Sequence, residues 1–404
     1  MNVTRALLVC ITLLLGSGCA TVDRVATSPA EPAQDDQAFR SKSLHIIHAP
    51  PQRATTPEAA AVINADVAEP DEEPAAFWDQ VRDGLRLPDT TQSRVRKRTA
   101  EYGSKPRQVE QIFARGQPYL AYILSEVQKR KFPTEIVLLP YVESGYDPFA
   151  FSYGRAAGMW QFIPATGKMY GLHQDWWYDG RRDVVASTRA ALDYLDYLQN
   201  KFDGDWLLAV AAYNSGSGAV SRAIKKNRSN GRPTDFWHLD LPSETAAYVP
   251  KLLAISNIVR DPQKYDISLD PVDTEQTLTV VETHGQLDIS VAAELADMDT
   301  ESFYLLNPGY NRWTTHPNGP HRLVVPVSRS DTFEENIAVL PDAERTRLHR
   351  HKVRPGETLS HIARQYNTTT RALLSSNQLS GTLIRSGQYL LVPVGNHDSD
   401  QYAR

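Results

Sequence analysis

One glutamate in this chain stands where a carboxyl group could move protons. Glu143 follows the apolar run 136–142 and precedes Gly145 and the turn pair Asp147-Pro148. A carboxyl at the exit of an apolar segment is partly stripped of water. Its pKa then rises, and a neutral acid near pH 7 can protonate a leaving group. Behind it come Ser144, Ser152, Gly154 and Gly158, small residues that let a backbone approach a ligand closely, followed by Met159, Trp160 and Gln161. The competing reading of a lone glutamate is a solvated surface charge, so the weight of Glu143 rests on its neighbours. Glycoside hydrolases usually need a second carboxylate. Asp147, before a proline, reads as a turn former, and Asp175, Asp179 and Asp183 read as loop and cap residues. The 11 histidines include no i, i+4 pair of the metalloprotease kind. No GxSxG elbow surrounds the serines. Neither a metal site nor a serine nucleophile is therefore expected.

The stretch 141–161, YVESGYDPFAFSYGRAAGMWQ, resembles the family 1 lytic transglycosylases of the goose-lysozyme-like superfamily. Their Glu-Ser motif is matched by Glu143-Ser144, their loop serine by Ser152, and their Gly-Leu-Met-Gln by Gly158-Met159-Trp160-Gln161. Ala212-Tyr213-Asn214 matches the third motif, and Glu244-Thr245 with Tyr248-Val249 the fourth. Met-Trp in place of Leu-Met is similar to a membrane-bound subgroup that carries an N-terminal lipid and C-terminal LysM modules. The resemblance implies a mainly α lysozyme-like catalytic domain and no cofactor. It also implies that one glutamate works twice: it protonates the glycosidic oxygen, then draws a proton from the sugar's own 6-hydroxyl. On this reading Glu143 and Tyr213 are catalytic, with Tyr213 bonding Glu143 or facing the charge that develops on the sugar. Ser144, Ser152, Met159, Trp160, Gln161, Asn214, Glu244 and Tyr248 are expected to line the substrate site. Ser152 and Gln161 would fix the N-acetyl group or ring hydroxyls, Asn214 would hold the loop, and Trp160 would stack on a sugar. Glu244 has two readings of equal weight: an electrostatic partner at the reacting sugar, or a helix acid favoured by the macrodipole.

The elements that must position these residues follow from periodicity. Val109, Ile112, Phe113, Tyr119, Leu120, Ile123 and Val127 recur at helical spacing, predicting an amphipathic helix over 107–130. Pro133 opens the helix that ends at Glu143. Asp183 reads as the N-cap of a helix along Ala191, Leu192, Leu195, Leu198 and Phe202. Trp206, Ala209, Val210 and Tyr213 predict another, which the SGSG at 215–218 ends. Glu244, Tyr248, Leu252, Ile255 and Val259 predict a last one, kinked at Pro250. Before this region, Phe77, Trp78, Val81 and Leu85 share one helical face and predict an element packed on the catalytic domain.

The chain has 404 residues, room for two or three domains, and a formal charge of −5 with no strongly basic block, which argues against nucleic acid as the main partner. Residues 1–18 have the layout of a secretory signal, with an apolar run too short to span a bilayer. The residues before Cys19 resemble a lipobox, with Gly16 where leucine is usual, so a lipidated Cys19 competes with ordinary signal cleavage. Ala20 rather than Asp follows the cysteine, and the family's sorting rule then sends the protein to the outer membrane, facing the periplasm; a monomer is expected. Residues 19–76, rich in Ala, Pro, Asp and Glu, predict a disordered tether. The catalytic domain with its N-terminal extension is expected over 77–264. An internal repeat at an offset of 70 pairs Ser290 with Ser360, Ala293 with Ala363 and Asn307 with Asn377. The second copy (350–395) is similar to a LysM module, of βααβ order, and implies binding to N-acetylglucosamine-containing glycan. The first (271–345) lacks the PGETL stretch and reads as a degenerate copy acting as a spacer. A chain cut near Lys264 would on this reading fold and cleave soluble glycan unaided.

These features predict a lipoprotein that cleaves peptidoglycan strands into 1,6-anhydro products. A muramidase of the same fold using water, and a non-catalytic wall tether, are the alternatives.

Overall fold

A computed structural model describes residues 76–88, 91–274, 277–346, 348–366, 368–377 and 379–393. The expected signal, Cys19, nearly all of the tether and the tail from Asn396 lie outside the described residues.

The helical part begins with α1 (Ala76–Asp83) and α2 (Ser93–Gly103). The predicted amphipathic helix is α3 (Pro106–Lys129), opened by Pro106, where the missing N–H costs nothing. Its Val109, Phe113, Leu120, Ile123 and Val127 are buried, each contributing roughly 1.5–3 kcal/mol when fully removed from water. The element that Pro133 opens is a 3-10 turn, Thr134–Leu138, leading into a short helix α4 (Leu139–Glu143). The glutamate is thus delivered by two tight turns. α5 (Pro164–Met169) and α6 (Val184–Lys201) follow, and Asp183 caps α6 by accepting from the Ala186 N–H at 2.6 Å.

α7 (Trp206–Ser215) is apolar on all sides, with residues 207–212 buried, as a helix at the centre of a bundle must be. Asp205 caps it, and it packs on α6, on α8 (Ser217–Ser229) and on α9 (Ser243–Arg260). The SGSG stretch ends α7, but Gly216, at φ +80°, also starts α8, so the chain turns from one helix directly into the next. α9 runs continuously through Pro250 and packs along α2.

The N-terminal extension is held by a buried carboxylate that the sequence reading passed over. Glu135 accepts from the backbone N–H of Arg86 (3.1 Å) and Leu87 (2.8 Å), and Thr134 donates to the Val81 carbonyl. Phe77, Trp78 and Val81 enter the main core. The segment after α9 is clasped as well. Trp78 donates to the Asp270 carbonyl (2.8 Å), Gln117 to that of Pro271 (3.0 Å), and Glu110 accepts from Ser268 N–H (2.8 Å).

The two repeats share one plan. In the first, β1 (Leu278–Glu282), α10 (Ile289–Leu295), α11 (Thr300–Leu306) and β2 (Arg322–Pro326) form an antiparallel pair backed by two helices, with α12 (Val327–Val339) added. The second has β3 (Leu348–Lys352), α13 (Leu359–Gln365), α14 (Thr370–Ser376) and β4 (Tyr389–Pro393). The repeated asparagine does the same work in each. Asn307 exchanges two hydrogen bonds with the backbone of Val324 on β2, and Asn377 does so with Leu391 on β4. Each pins the end of the second helix to the closing strand.

The first repeat packs on the catalytic domain. Trp177 and Tyr178 of the catalytic domain are buried in its core with Leu287, Ile289, Phe303 and Tyr310. Asp179 N–H donates to Gly309 O (2.8 Å), Asn311 N–H to Trp177 O (2.7 Å), and Arg182 to the Asn311 side chain. A Cβ on Gly309 would come within 2.8 Å of Tyr178. A chain cut at Lys264 would uncover Trp177 and Tyr178, which these contacts bury.

Candidate active site

Glu143 is the last residue of α4, and the chain reverses immediately after it. Gly145 and Tyr146 both take positive φ (61° and 56°), and Tyr146 pays for that strain by burying its ring and donating to Val137 O at 3.0 Å. Ser144 is buried, with its hydroxyl on the Met159 carbonyl at 2.9 Å. It fastens the end of α4 to the loop that follows and has no free face for substrate, contrary to the sequence expectation.

The carboxyl of Glu143 is half-buried and faces α9. Tyr248, buried on α9, donates its hydroxyl to Oε1. Glu244 lies one turn earlier on the same side of that helix. Burial pushes the pKa of Glu143 up to about 7. The Tyr248 hydrogen bond works against that rise, the Glu244 charge adds to it, and Lys251 weakly opposes it. Near neutral pH the group therefore exists in both protonation states, as a residue that both gives and takes a proton must. Glu244 sits in the first turn of α9, where the macrodipole favours an acid, and its charge adds to the rise of the Glu143 pKa. Tyr248 itself is held well above the ordinary phenol value by burial and by the Glu143 charge, so it remains a donor.

Tyr213 does not bond Glu143. Its hydroxyl donates to the Trp160 carbonyl at 2.9 Å, and its ring packs against Tyr194 and Phe162. Burial holds its pKa well above the phenol value and the nearby Glu143 charge adds to that, but the hydroxyl bonded to Glu143 is that of Tyr248. Asn214 accepts from the Thr245 hydroxyl (2.8 Å), tying the end of α7 to the start of α9. That tie holds the helix that aims Tyr248 and Glu244.

The loop from 147 to 163 corrects further expectations. Trp160 is 0% exposed, and its indole N–H donates to Thr188 on α6 at 2.9 Å, so both faces are covered and no sugar can stack on it. Met159 is buried with it. Gly158, at φ +81°, admits a backbone as expected, but the backbone is the protein's own: a Cβ there would lie 2.0 Å from the Arg181 carbonyl oxygen. Ser152 closes the turn, its Oγ accepting from Ala156 N–H at 3.1 Å. Gln161 spends its amide N–H groups on Gly158 O (2.7 Å) and Ala150 O (3.4 Å). Exposed aromatic surface comes instead from Phe149, Phe151 and Tyr153, at 43, 44 and 59%. Three exposed aromatics at period two along a loop are suited to lie on sugar faces. The alternation is a signal carried by the sequence itself.

Comparison with known proteins adds the lineage. The transglycosylase SLT domain matches residues 122–236, the LysM-like domain of lytic transglycosylase MltD matches 277–341, and the LysM domain matches 351–393. The chain is 28% identical over 143 residues to membrane-bound lytic murein transglycosylase C of Haemophilus influenzae, covering 32% of this chain and 40% of that one. A solved structure of the lytic transglycosylase Slt from Pseudomonas aeruginosa aligns at 25% identity over 38% of this chain and 25% of its own, with a TM-score of 0.28. The Escherichia coli K12 membrane-bound lytic murein transglycosylase D is 38% identical over 330 residues, 79% of this chain and 73% of that protein. Matched at that level over most of both lengths, the chain belongs to the membrane-bound lytic murein transglycosylase D family.

Proposed function

We propose that this lytic murein transglycosylase cleaves the β-1,4 bond between N-acetylmuramic acid and N-acetylglucosamine with Glu143 as its single proton-transfer group. The observation that carries the reading is the half-buried carboxyl with a pKa of about 7, held by the Tyr248 hydroxyl. Neutral Glu143 gives its proton to the glycosidic oxygen as the bond to the anomeric carbon breaks. The resulting carboxylate takes the proton of the 6-hydroxyl, whose oxygen attacks the same carbon and closes the 1,6-anhydro ring. Water is not consumed, and Glu143 ends protonated again. Tyr248 stabilises the intermediate carboxylate through a charge-assisted hydrogen bond. The negative charge of Glu244 favours the cationic sugar between the two steps. Gln161, whose amide carbonyl is left over by the loop, meets the N-acetyl N–H, and Ser152 and Tyr213 shape the wall behind it. Product mass separates this reaction from hydrolysis, because an anhydro end is one water lighter.

The anchoring part of the proposal is a lipidated Cys19 that holds a monomeric enzyme at the outer membrane, facing the periplasm. The layout of residues 1–20 supports it. Among the described residues no helix is long and apolar enough to cross a membrane.

A further inference from the structure

The catalytic domain meets both C-terminal modules at a cluster of cations that the reaction does not use. Trp176, on the loop before α6, is 44% exposed. The guanidinium of Arg312, from the first module, lies 3.5 Å from its ring centroid, and that of Arg350, on β3 of the second, lies 4.6 Å away. Arg350 also stacks on Tyr389 of β4 at 3.5 Å, and Lys352 Nζ is 5.6 Å from the same ring, which is 45% exposed. Arg350 and Lys352 are two residues apart on β3 and so share a face.

Among the described residues none of the three cations has a carboxylate partner. The nearest acid in sequence to Trp176 is Asp175, and it is spent. Its Oδ1 accepts from the N–H groups of Trp177 and Tyr178, and its Oδ2 contacts His173 (2.8 Å) and His316 (3.2 Å). The Nε of both arginines is buried without a hydrogen-bond acceptor. Arg312 gives one N–H to Asn311 O, and burial and the Arg350 charge together hold its pKa below the usual guanidinium value. Two like charges brought together and partly desolvated repel one another, and cation–π contact offsets only about 0.5–2 kcal/mol of that. A guanidinium laid flat on a ring keeps its N–H fork in the plane of the stack, the geometry that suits a carboxylate.

We infer that Trp176, Arg312, Arg350, Lys352 and Tyr389 form a binding site for carboxylate groups carried on a glycan strand, shared by the catalytic domain and both C-terminal modules. The inference rests on peptidoglycan being the substrate. That polymer offers carboxylates of two origins: the lactyl group of N-acetylmuramic acid where the peptide has been removed, and the stem peptides where it has not. The site gives the enzyme a second grip on the strand that is blind to neutral sugar.

The test uses the full chain in a Glu143→Gln background, so that probes are bound without being cut. Affinity is measured by calorimetry for a neutral chitooligosaccharide, a peptide-free alternating oligosaccharide with free lactyl carboxylates, and a peptide-bearing oligosaccharide. Arg312→Gln with Arg350→Gln should weaken one or both acidic probes by roughly tenfold or more and flatten their salt dependence, leaving the neutral probe unchanged. Which acidic probe responds identifies the origin of the carboxylate. The pair Arg312→Lys with Arg350→Lys, which keeps the charge but not the fork, should fall between. Unchanged affinity for all three probes would overturn the site and leave the arginines as adhesive between modules. An equal loss for all three would overturn it too. Sacculus cleavage by the arginine variants with Glu143 restored reads the reaction separately, so loss of the site and loss of the peptidoglycan reading cannot be confused.

Discussion

Replacing Glu143 by Gln should stabilise the protein increasingly as the pH rises from 4.5 to about 7, and by a constant amount above that. In the fold the carboxyl ionises near pH 7, against 4.5 for the free group, because burial disfavours its charged form. Between those two values the unfolded chain releases a proton that the native chain keeps. Stability contributed by the neutral acid is therefore complete below pH 4.5 and is lost as the pH rises through about 7. At about 1.36 kcal/mol per pH unit the whole loss is about 3 kcal/mol, and solvent reaching the half-buried group brings it to ~1–3 kcal/mol. Glutamine cannot ionise, and it can still accept from Tyr248. The variant should melt with the wild type at pH 4 and above it at pH 8. The gap should be a few to about ten degrees, since each kcal/mol moves the midpoint of a domain of this size by roughly 2–4 °C. Thermal unfolding followed by circular dichroism from pH 4 to 9 reads this directly. A gap that does not vary with pH, or a wild type that is the more stable form at pH 8, would show that Glu143 is not held as a neutral acid.

Tyr248→Phe removes the hydrogen bond that opposes the rise in the Glu143 pKa. With such a bond worth roughly 1.5–3 kcal/mol, the alkaline limb of the kcat/KM profile should move up by roughly 1–2 pH units, and an unmoved or lowered limb would contradict the assignment. A chain ending at Lys264 strips cover from Trp177 and Tyr178, two large side chains worth roughly 1.5–3 kcal/mol each when buried. It should melt earlier and cleave soluble glycan fragments several-fold more slowly, whereas deleting 352–394 alone should leave soluble turnover near wild type; equal activity in both would mean the first module does not support the loop. Cys19→Ser should leave the membrane fraction, and a variant that still pelleted with membranes after a high-salt wash would remove the lipid anchor from the account.

What the sequence could say about this site depended on how local the determinants were. Glu143 was legible because an apolar run, a carboxyl and a glycine within ten residues already imply a half-desolvated acid. The repeat was legible because Asn307 and Asn377 each keep the same pair of hydrogen bonds to the closing strand, one donated and one accepted, and that pair fixes the residue type. The partnership of Glu143 with Tyr248 spans 105 residues and leaves no local trace; Tyr213 lies in a motif of its own and was as plausible. Trp160 was misread because motif membership says nothing about exposure: it is buried in the main core, with its indole N–H on Thr188, on a helix that begins 24 residues later. α2 was missed because only Val95 and Thr99 of its charged sequence are buried, too few to show a stripe. The docking of the first module was invisible as well, since Trp177 and Tyr178 read equally well as aromatics of the catalytic region's own core.

The measurement that bears most directly on Glu143 as a lone acid and base is the mass of what it releases. Purified sacculi digested with the wild type should yield disaccharide-peptides one water lighter than their hydrolytic counterparts, the mark of a 1,6-anhydro end. The Glu143→Gln variant, with proton transfer removed, should release them at least ~100-fold more slowly. Fragments carrying the full mass of a reducing end, or near-normal release by the variant, would contradict the mechanism.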